Sequence, residues 1–166
     1  MKFSFNRAVA LLVISSAMLF SVTSCSKSSG GSSAGVSATV NGTAWANTYP
    51  VEGIYYAAGG FFDLGGAQIK GGDTTAFEVV IYQPFAINQA VSSDSSQDVV
   101  SYIDAKTFNT YTGAYGSGRA VITVTSYDST GGKIGGTFSG VLYNVTNSND
   151  SLVIAGGKFN TTFTKQ

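Results

Sequence analysis

From Val36 onward, apolar and polar side chains alternate over short stretches, and no segment keeps its apolar residues at helical spacing for three turns. A period of two lines one face of a strand, whereas an amphipathic helix needs apolar residues at i, i+3, i+4 and i+7. A chain with only the first pattern can build sheets and very little else. Its 21 glycines, none of them before Gly30, mark the turns between many short strands. The reading is a single all-β domain over residues 36–166. It is expected to be an antiparallel β-sandwich or flattened barrel of about eight strands, ending in a three-stranded meander.

The strands are expected at Val36–Val40, Ile54–Ala58, Phe61–Lys70, Ala76–Tyr82, Val99–Asp104, Arg119–Tyr127, Lys133–Tyr143 and Ser151–Phe163. Asn41-Gly42 reads as a tight turn because both residues tolerate positive φ, and Trp45 beyond it as a core plug. Gly65-Gly66 reads as a bulge or bend inside a strand. Asn88–Gln97 and Phe108–Gly118 read as loops. Phe138 should point inward between Gly136 and Gly140. In the closing strand the inward set passes from Leu152 and Ile154 to Phe159 and Phe163, a change of parity that one extra residue at Gly156-Gly157 would produce.

The N-terminus reads as a processing signal rather than fold. Lys2 and Arg7 precede Ala8–Phe20, an uncharged apolar run shorter than the ~20 residues that a membrane helix needs. The run closes on Val22-Thr23-Ser24-Cys25, which resembles the lipobox of bacterial lipoproteins. Residues 1–24 are thus expected to be a signal peptide and Cys25 a lipidated anchor. Residues 25–35 form a Ser/Gly tether of about 17 Å r.m.s. span. An ordinary secretory peptide and an uncleaved signal anchor are the alternatives. The partner this implies is the membrane, reached through lipid on Cys25.

Composition removes whole classes of chemistry. There is no histidine and Cys25 is the only cysteine, so neither a Ser-His-Asp or Cys-His triad nor a thiolate or imidazole zinc site can be assembled. No basic run or patch favours nucleic acid. No catalytic residue, metal ligand or cofactor is assigned. A carboxylate pair remains conceivable among Glu52, Asp63, Asp73, Glu78, Asp94, Asp98, Asp104, Asp128 and Asp150, although most of these acids fall in turns, where Asp caps its own backbone. Two acid-bearing loops, Asn144–Asp150 and Asp94–Asp98, lack the spaced pattern of a calcium loop.

Asn41-Gly42-Thr43-Ala44-Trp45, Gly136-Thr137-Phe138-Ser139-Gly140 and Gly157-Lys158-Phe159-Asn160 resemble the opening turn and closing hairpin of small outer-membrane lipoproteins of the Bacteroidetes type. The resemblance spans roughly residues 36–163, and its motifs are structural. It implies an outer-membrane lipoprotein without assigned activity, with the periplasmic or cell-surface side left open. In the same group, Asp-(Ser/Thr) followed by a small or apolar residue is O-glycosylated, which implies modification at Thr74, Ser129 or Ser151, all expected in turns. Tyr102, Tyr111 and Tyr115 near one loop, with Tyr82, Tyr127 and Tyr143 on the polar faces of their strands, are candidate binding aromatics. Such rings either stack on a glycan or protein or simply pair across strands. The functional expectation is a lipid-anchored, non-enzymatic binding or structural module of the envelope, taking a glycan or an envelope protein. A histidine-free glycan hydrolase using two carboxylates is the alternative.

Overall fold

The computed structural model describes residues 35–114 and 116–166. The expected signal peptide, Cys25, the expected tether up to residue 34 and Tyr115 lie outside the described residues. Eleven strands follow in order: β1 (Gly35–Val40), β2 (Thr43–Ala46), β3 (Glu52–Tyr56), β4 (Phe61–Lys70), β5 (Asp73–Tyr82), β6 (Ala90–Ser92), β7 (Val99–Asp104), β8 (Asn109–Gly113), β9 (Arg119–Asp128), β10 (Lys133–Asn144) and β11 (Ser151–Lys165). The described residues contain no helix. The all-β expectation holds, and the closing meander β9–β10–β11 is present.

The strand count is eleven rather than eight. β2 completes the hairpin begun at Asn41-Gly42. β6 lies inside the expected Asn88–Gln97 loop and β8 inside the expected Phe108–Gly118 loop. Each is short, and each is held by a longer neighbour rather than by its own pattern: β2 by β1, β6 by β9, β8 by β7 and β10. One pairing, β11 with β3, is parallel, so the sheet is mixed and not purely antiparallel.

The pairings form one continuous sheet that folds back on itself. One half runs β2-β1-β11-β10-β9-β6 and the other β3-β4-β5-β7-β8. They join at both sides, through β11–β3 and through β8–β10. The result is a flattened barrel with two inner faces packed together. Phe77 of β5 meets Phe138 of β10 at 5.3 Å and Trp45 of β2 at 4.8 Å. Phe62 of β4 meets Phe163 of β11 at 5.0 Å and Tyr127 of β9 at 5.7 Å. Trp45 is buried, and its indole N–H donates to the Thr75 hydroxyl at 2.8 Å, which satisfies the one polar atom of the plug.

Turn chemistry sets the register. Asn41 and Gly42 have φ of 46° and 81°, and Gly71 and Gly72 have 61° and 88°, the two positive values of a type I′ hairpin turn. In β11 the pairing slips by one residue opposite both β10 and β1, and Gly156 takes φ 58° there. Ile154 and Phe159 are consequently both buried, as the parity change requires. Gly65-Gly66 does not interrupt its strand, because β4 keeps unbroken register with β5 from Phe61 to Lys70. Those glycines serve close approach instead. A side chain at Gly66 would run into Val36 and Val51, while Gly65 faces open space on the other side.

Candidate binding face

The inner faces are closed by packing, so chemistry must come from the outer faces or the rims. On the outer face of β3-β4-β5-β7-β8, three neighbouring rows can be read from the register. Tyr56, Phe61 and Tyr82 form the first, and Ile54, Asp63, Val80 and Val99 the second. The third crosses onto β10 as Glu52, Gly65, Glu78, Ser101, Thr112 and Tyr143. The alternate residues of these strands, Phe62, Leu64, Phe77, Val79, Ile81 and Val100, are buried in the core. This face is thus apolar over much of its area, yet it carries three acids.

Asp63 and Glu78 are diagonal neighbours on adjacent strands, a placement that separates side chains by about 7–8 Å. Burial raises the pKa of Asp63. Burial, and then repulsion from Asp63, pushes Glu78 up to about 7. Glu78 Oε2 and Ser101 Oγ are both shielded from solvent and have no hydrogen-bond partner among the described residues. A buried acceptor without a donor costs free energy, and it keeps the proton on the carboxyl. Ser101 itself is 0% exposed.

The candidate tyrosines separate under this geometry. Tyr82 lies on the outer face, its ring tilted against Phe61 at 5.2 Å, with Tyr56 stacked on the other side of Phe61 at 4.9 Å. These rings turn their faces to one another, which favours sheet stabilisation over stacking on a flat ligand. Tyr143 is on the same outer face and 39% exposed. Tyr102 and Tyr111 point inward: Tyr102 packs on Phe77 at 5.1 Å, and Tyr111 is buried with its hydroxyl donating to Asp150 at 2.8 Å. Tyr127 also points inward, contrary to expectation. An extra residue at Thr125 opposite Gly135/Gly136 reverses the parity of β9, and the ring packs on Phe85 at 5.4 Å and Phe163 at 6.0 Å. Tyr115 lies outside the described residues.

Of the three expected modification sites, only Ser129 sits in an exposed turn. Thr74 is within β5 and Ser151 opens β11, both half-buried and paired. The remaining acids are occupied. Asp73 and Asp94 make ion pairs with Lys106 and Arg119. Asp104 and Asp128 accept turn amides, and Asp98 accepts the Tyr82 amide at 2.8 Å. Asp150 takes the Asn144 amide as well as Tyr111, and Asn144 Oδ1 holds Thr146, so the side chains of that loop bind each other. Among the described residues no group of three or more acids could hold a metal ion.

Two concavities lie outside this face. The larger, about 870 Å³, is an open trough on the outer face of the other half, lined by Ser37, Asn47, Thr125, Thr137, Lys158 and Asn160 among others, without a carboxylate. A smaller one of about 290 Å³ sits among Gln83, Pro84, Phe85, Ile87 and Tyr127. Sequence reasoning counted Asp63 and Glu78 among the candidate acids but did not show that the sheet sets them side by side. The signal was available: the Gly71-Gly72 turn sets Lys70 opposite Asp73, and counting back puts Gly65 opposite Glu78.

No curated protein and no solved structure matches the chain. Residues 95–162, which run from before β7 into β11, match a family described as a domain of unknown function (DUF5025).

Proposed function

We propose that this chain is a lipid-anchored envelope protein, tethered through Cys25, that works as a non-enzymatic binding module through the outer face of β3-β4-β5-β7-β8. One observation carries the reading. That face presents Ile54, Val80 and Val99 beside a carboxyl and a hydroxyl whose oxygens lack partners among the described residues. A solvated sheet face carries polar side chains that water satisfies, whereas an outer row of Ile54, Val80 and Val99 offers apolar surface for a partner to cover.

A second reading, hydrolysis of a glycan by Asp63 and Glu78, has one feature in its favour. A carboxyl raised to about 7 is what a general acid needs near neutral pH. Against it, Asp63 and Glu78 stand on an outer sheet face and line neither of the two concavities described above.

Both parts are tested together. The Cys25→Ala chain should leave the membrane fraction and lose fatty-acid label. The parent chain should release no reducing sugar from a panel of polysaccharides. Retained label would remove the anchor from the reading, and sugar release abolished by Glu78→Gln would replace the binding module with the hydrolase.

A further inference from the structure

The larger concavity, about 870 Å³, falls in the size range of sites that take a small organic ligand. Register shows how it is formed. Ser37, Lys158 and Thr137 make one outward row across β1, β11 and β10. Gly35, Asn160, Gly135 and Ser126 make the next row, which reaches β9. Two positions of this second row carry no side chain, which sinks it below the first. A side chain on Gly135 would come 2.7 Å from Ser126 Oγ and 3.7 Å from Asn160 Oδ1, so hydroxyl and carboxamide lean over that glycine from either side. Both residues are exposed, and neither side chain is hydrogen-bonded among the described residues. The extra residue of β9, Thr125, is by contrast tied to the floor, its hydroxyl donating to the Gly135 carbonyl at 3.4 Å.

The far wall is the connection from β2 to β3, and it is pinned on two sides. The Asn47 amide donates to the Val36 carbonyl at 3.0 Å, and Asn47 Oδ1 accepts the Val36 amide at 2.8 Å. The Thr48 amide donates to the Ala67 carbonyl at 2.8 Å, and the Thr48 hydroxyl accepts the Ile69 amide at 2.9 Å. Tyr49, 43% exposed, lines that wall. Lys158 lines the trough with no carboxylate beside it and is in no ion pair among the described residues.

We infer that this trough is a second binding site, separate from the face proposed above, and that it takes an acidic oligosaccharide with a carboxylate at Lys158. Sugar hydroxyls donate and accept at once, and the hydroxyl and carboxamide groups of Ser126, Asn160, Ser37 and Thr137 do the same. Tyr49 offers a ring for the apolar face of a sugar. The ammonium of Lys158 favours an acid, and the lining holds no carboxylate to repel one. A peptide fits less well, because β1, β11 and β10 are hydrogen-bonded on both sides here and give it no strand edge to extend. The pinned wall means that little has to be ordered on binding.

The test is amide-shift titration by NMR on the mature chain carrying Cys25→Ser. The probes are a galacturonate hexamer, the matching neutral galactose hexamer and hexaglutamate, which has the charge without the sugar hydroxyls. The galacturonate hexamer should shift the amides of Ser37, Ser126, Gly135 and Asn160. The neutral hexamer should bind at the same place at least ~3-fold more weakly, the worth of one exposed charge pair. Hexaglutamate should bind at least ~10-fold more weakly, for want of two or more hydrogen bonds. Lys158→Gln should bring the acidic hexamer down to the affinity of the neutral one, while Asn160→Ala should weaken both ~5-fold. Both residues are exposed, so the urea midpoint should not move. No shift in the trough, equal binding by hexaglutamate, no preference for the acidic hexamer, or variants that bind like the parent would each overturn the site. Shifts confined to Ile54, Val80 and Val99 would overturn it as well, while leaving the face proposed above in place.

Discussion

A carboxyl group whose pKa rises on folding ties the stability of the fold to pH. Glu78 moves from 4.5 to about 7, chiefly through burial and then through Asp63. Between those values the folded chain holds a proton that the unfolded chain has released, so stability falls as pH rises. The stabilisation is complete below the unfolded value and gone above the folded one. Its size is at most ~3 kcal/mol, because a tenfold change in proton affinity is worth ~1.4 kcal/mol. Asp63, raised by burial in its turn, adds in the same direction. Urea denaturation from about pH 4 to about pH 8 should show the decline, and Glu78→Gln should flatten most of it and be the more stable chain at the alkaline end. A parent chain whose stability climbs through that window would mean that Glu78 is solvated and ordinary.

At the scale of the element, β10 and β11 are joined by two reciprocal pairs, Gly136 opposite Phe159 and Phe138 opposite Gly157. A side-chain carbon at Gly157 would lie 2.6 Å from the Phe138 ring, and one at Gly136 would strike Phe159. Each ring thus covers a glycine across the ladder, which is why glycine recurs in strands that it would otherwise weaken. Phe138→Ala should cost ~3–5 kcal/mol, since the ring is buried and its contact with Phe77 bridges the two halves. Gly157→Ala should cost ~1–3 kcal/mol by overpacking. Thr137→Ala and Ser139→Ala, exposed on the opposite face, should change stability by less than ~0.5 kcal/mol. Equal losses at all four positions in denaturant titrations would mean that both faces are buried. The Asn41-Gly42 turn and the Gly156 bulge were legible in the sequence because each is a local event marked by glycine, whereas the Gly–Phe pairs needed the register between β10 and β11. The short strands β2, β6 and β8 were not, because three to five residues pair only when a distant neighbour is already placed. Tyr127 was misplaced for a related reason: the extra residue at Thr125 carries no glycine to announce it. The acidic face was half legible, with Glu52, Asp63 and Glu78 counted among the candidate acids but brought together only by register across β3, β4 and β5.

For the molecule as a whole, closure depends on two short seams of different make-up. The β8–β10 side is reinforced by Tyr111 and Asn144 both holding Asp150. The β11–β3 side rests on three parallel register pairs, Phe163–Gly53, Thr164–Ile54 and Lys165–Tyr55, with backbone bonds from Gln166 to Tyr55 and from Ala57 to Gln166. Its side-chain contribution comes mainly from Phe163, which contacts Phe62, Tyr127 and Tyr55 at 5.0, 6.0 and 6.4 Å. A chain ending at Thr162 loses the ring and the pairing together, and should lose ~3–5 kcal/mol, comparable to deleting a buried aromatic. Phe163→Ala in the full chain keeps the backbone pairs and should lose less, so the difference between the two reports the seam itself. Because Phe77–Phe138 and the β8–β10 seam still couple the halves, both chains should unfold in one transition. Hydrogen exchange then locates the damage: amides of β3 and the C-terminal end of β11 should speed up, while those of β8 and the Tyr143 end of β10 keep their protection. Uniform loss of protection across both seams would instead mean that the barrel has no weaker side, and that its closure is a single event.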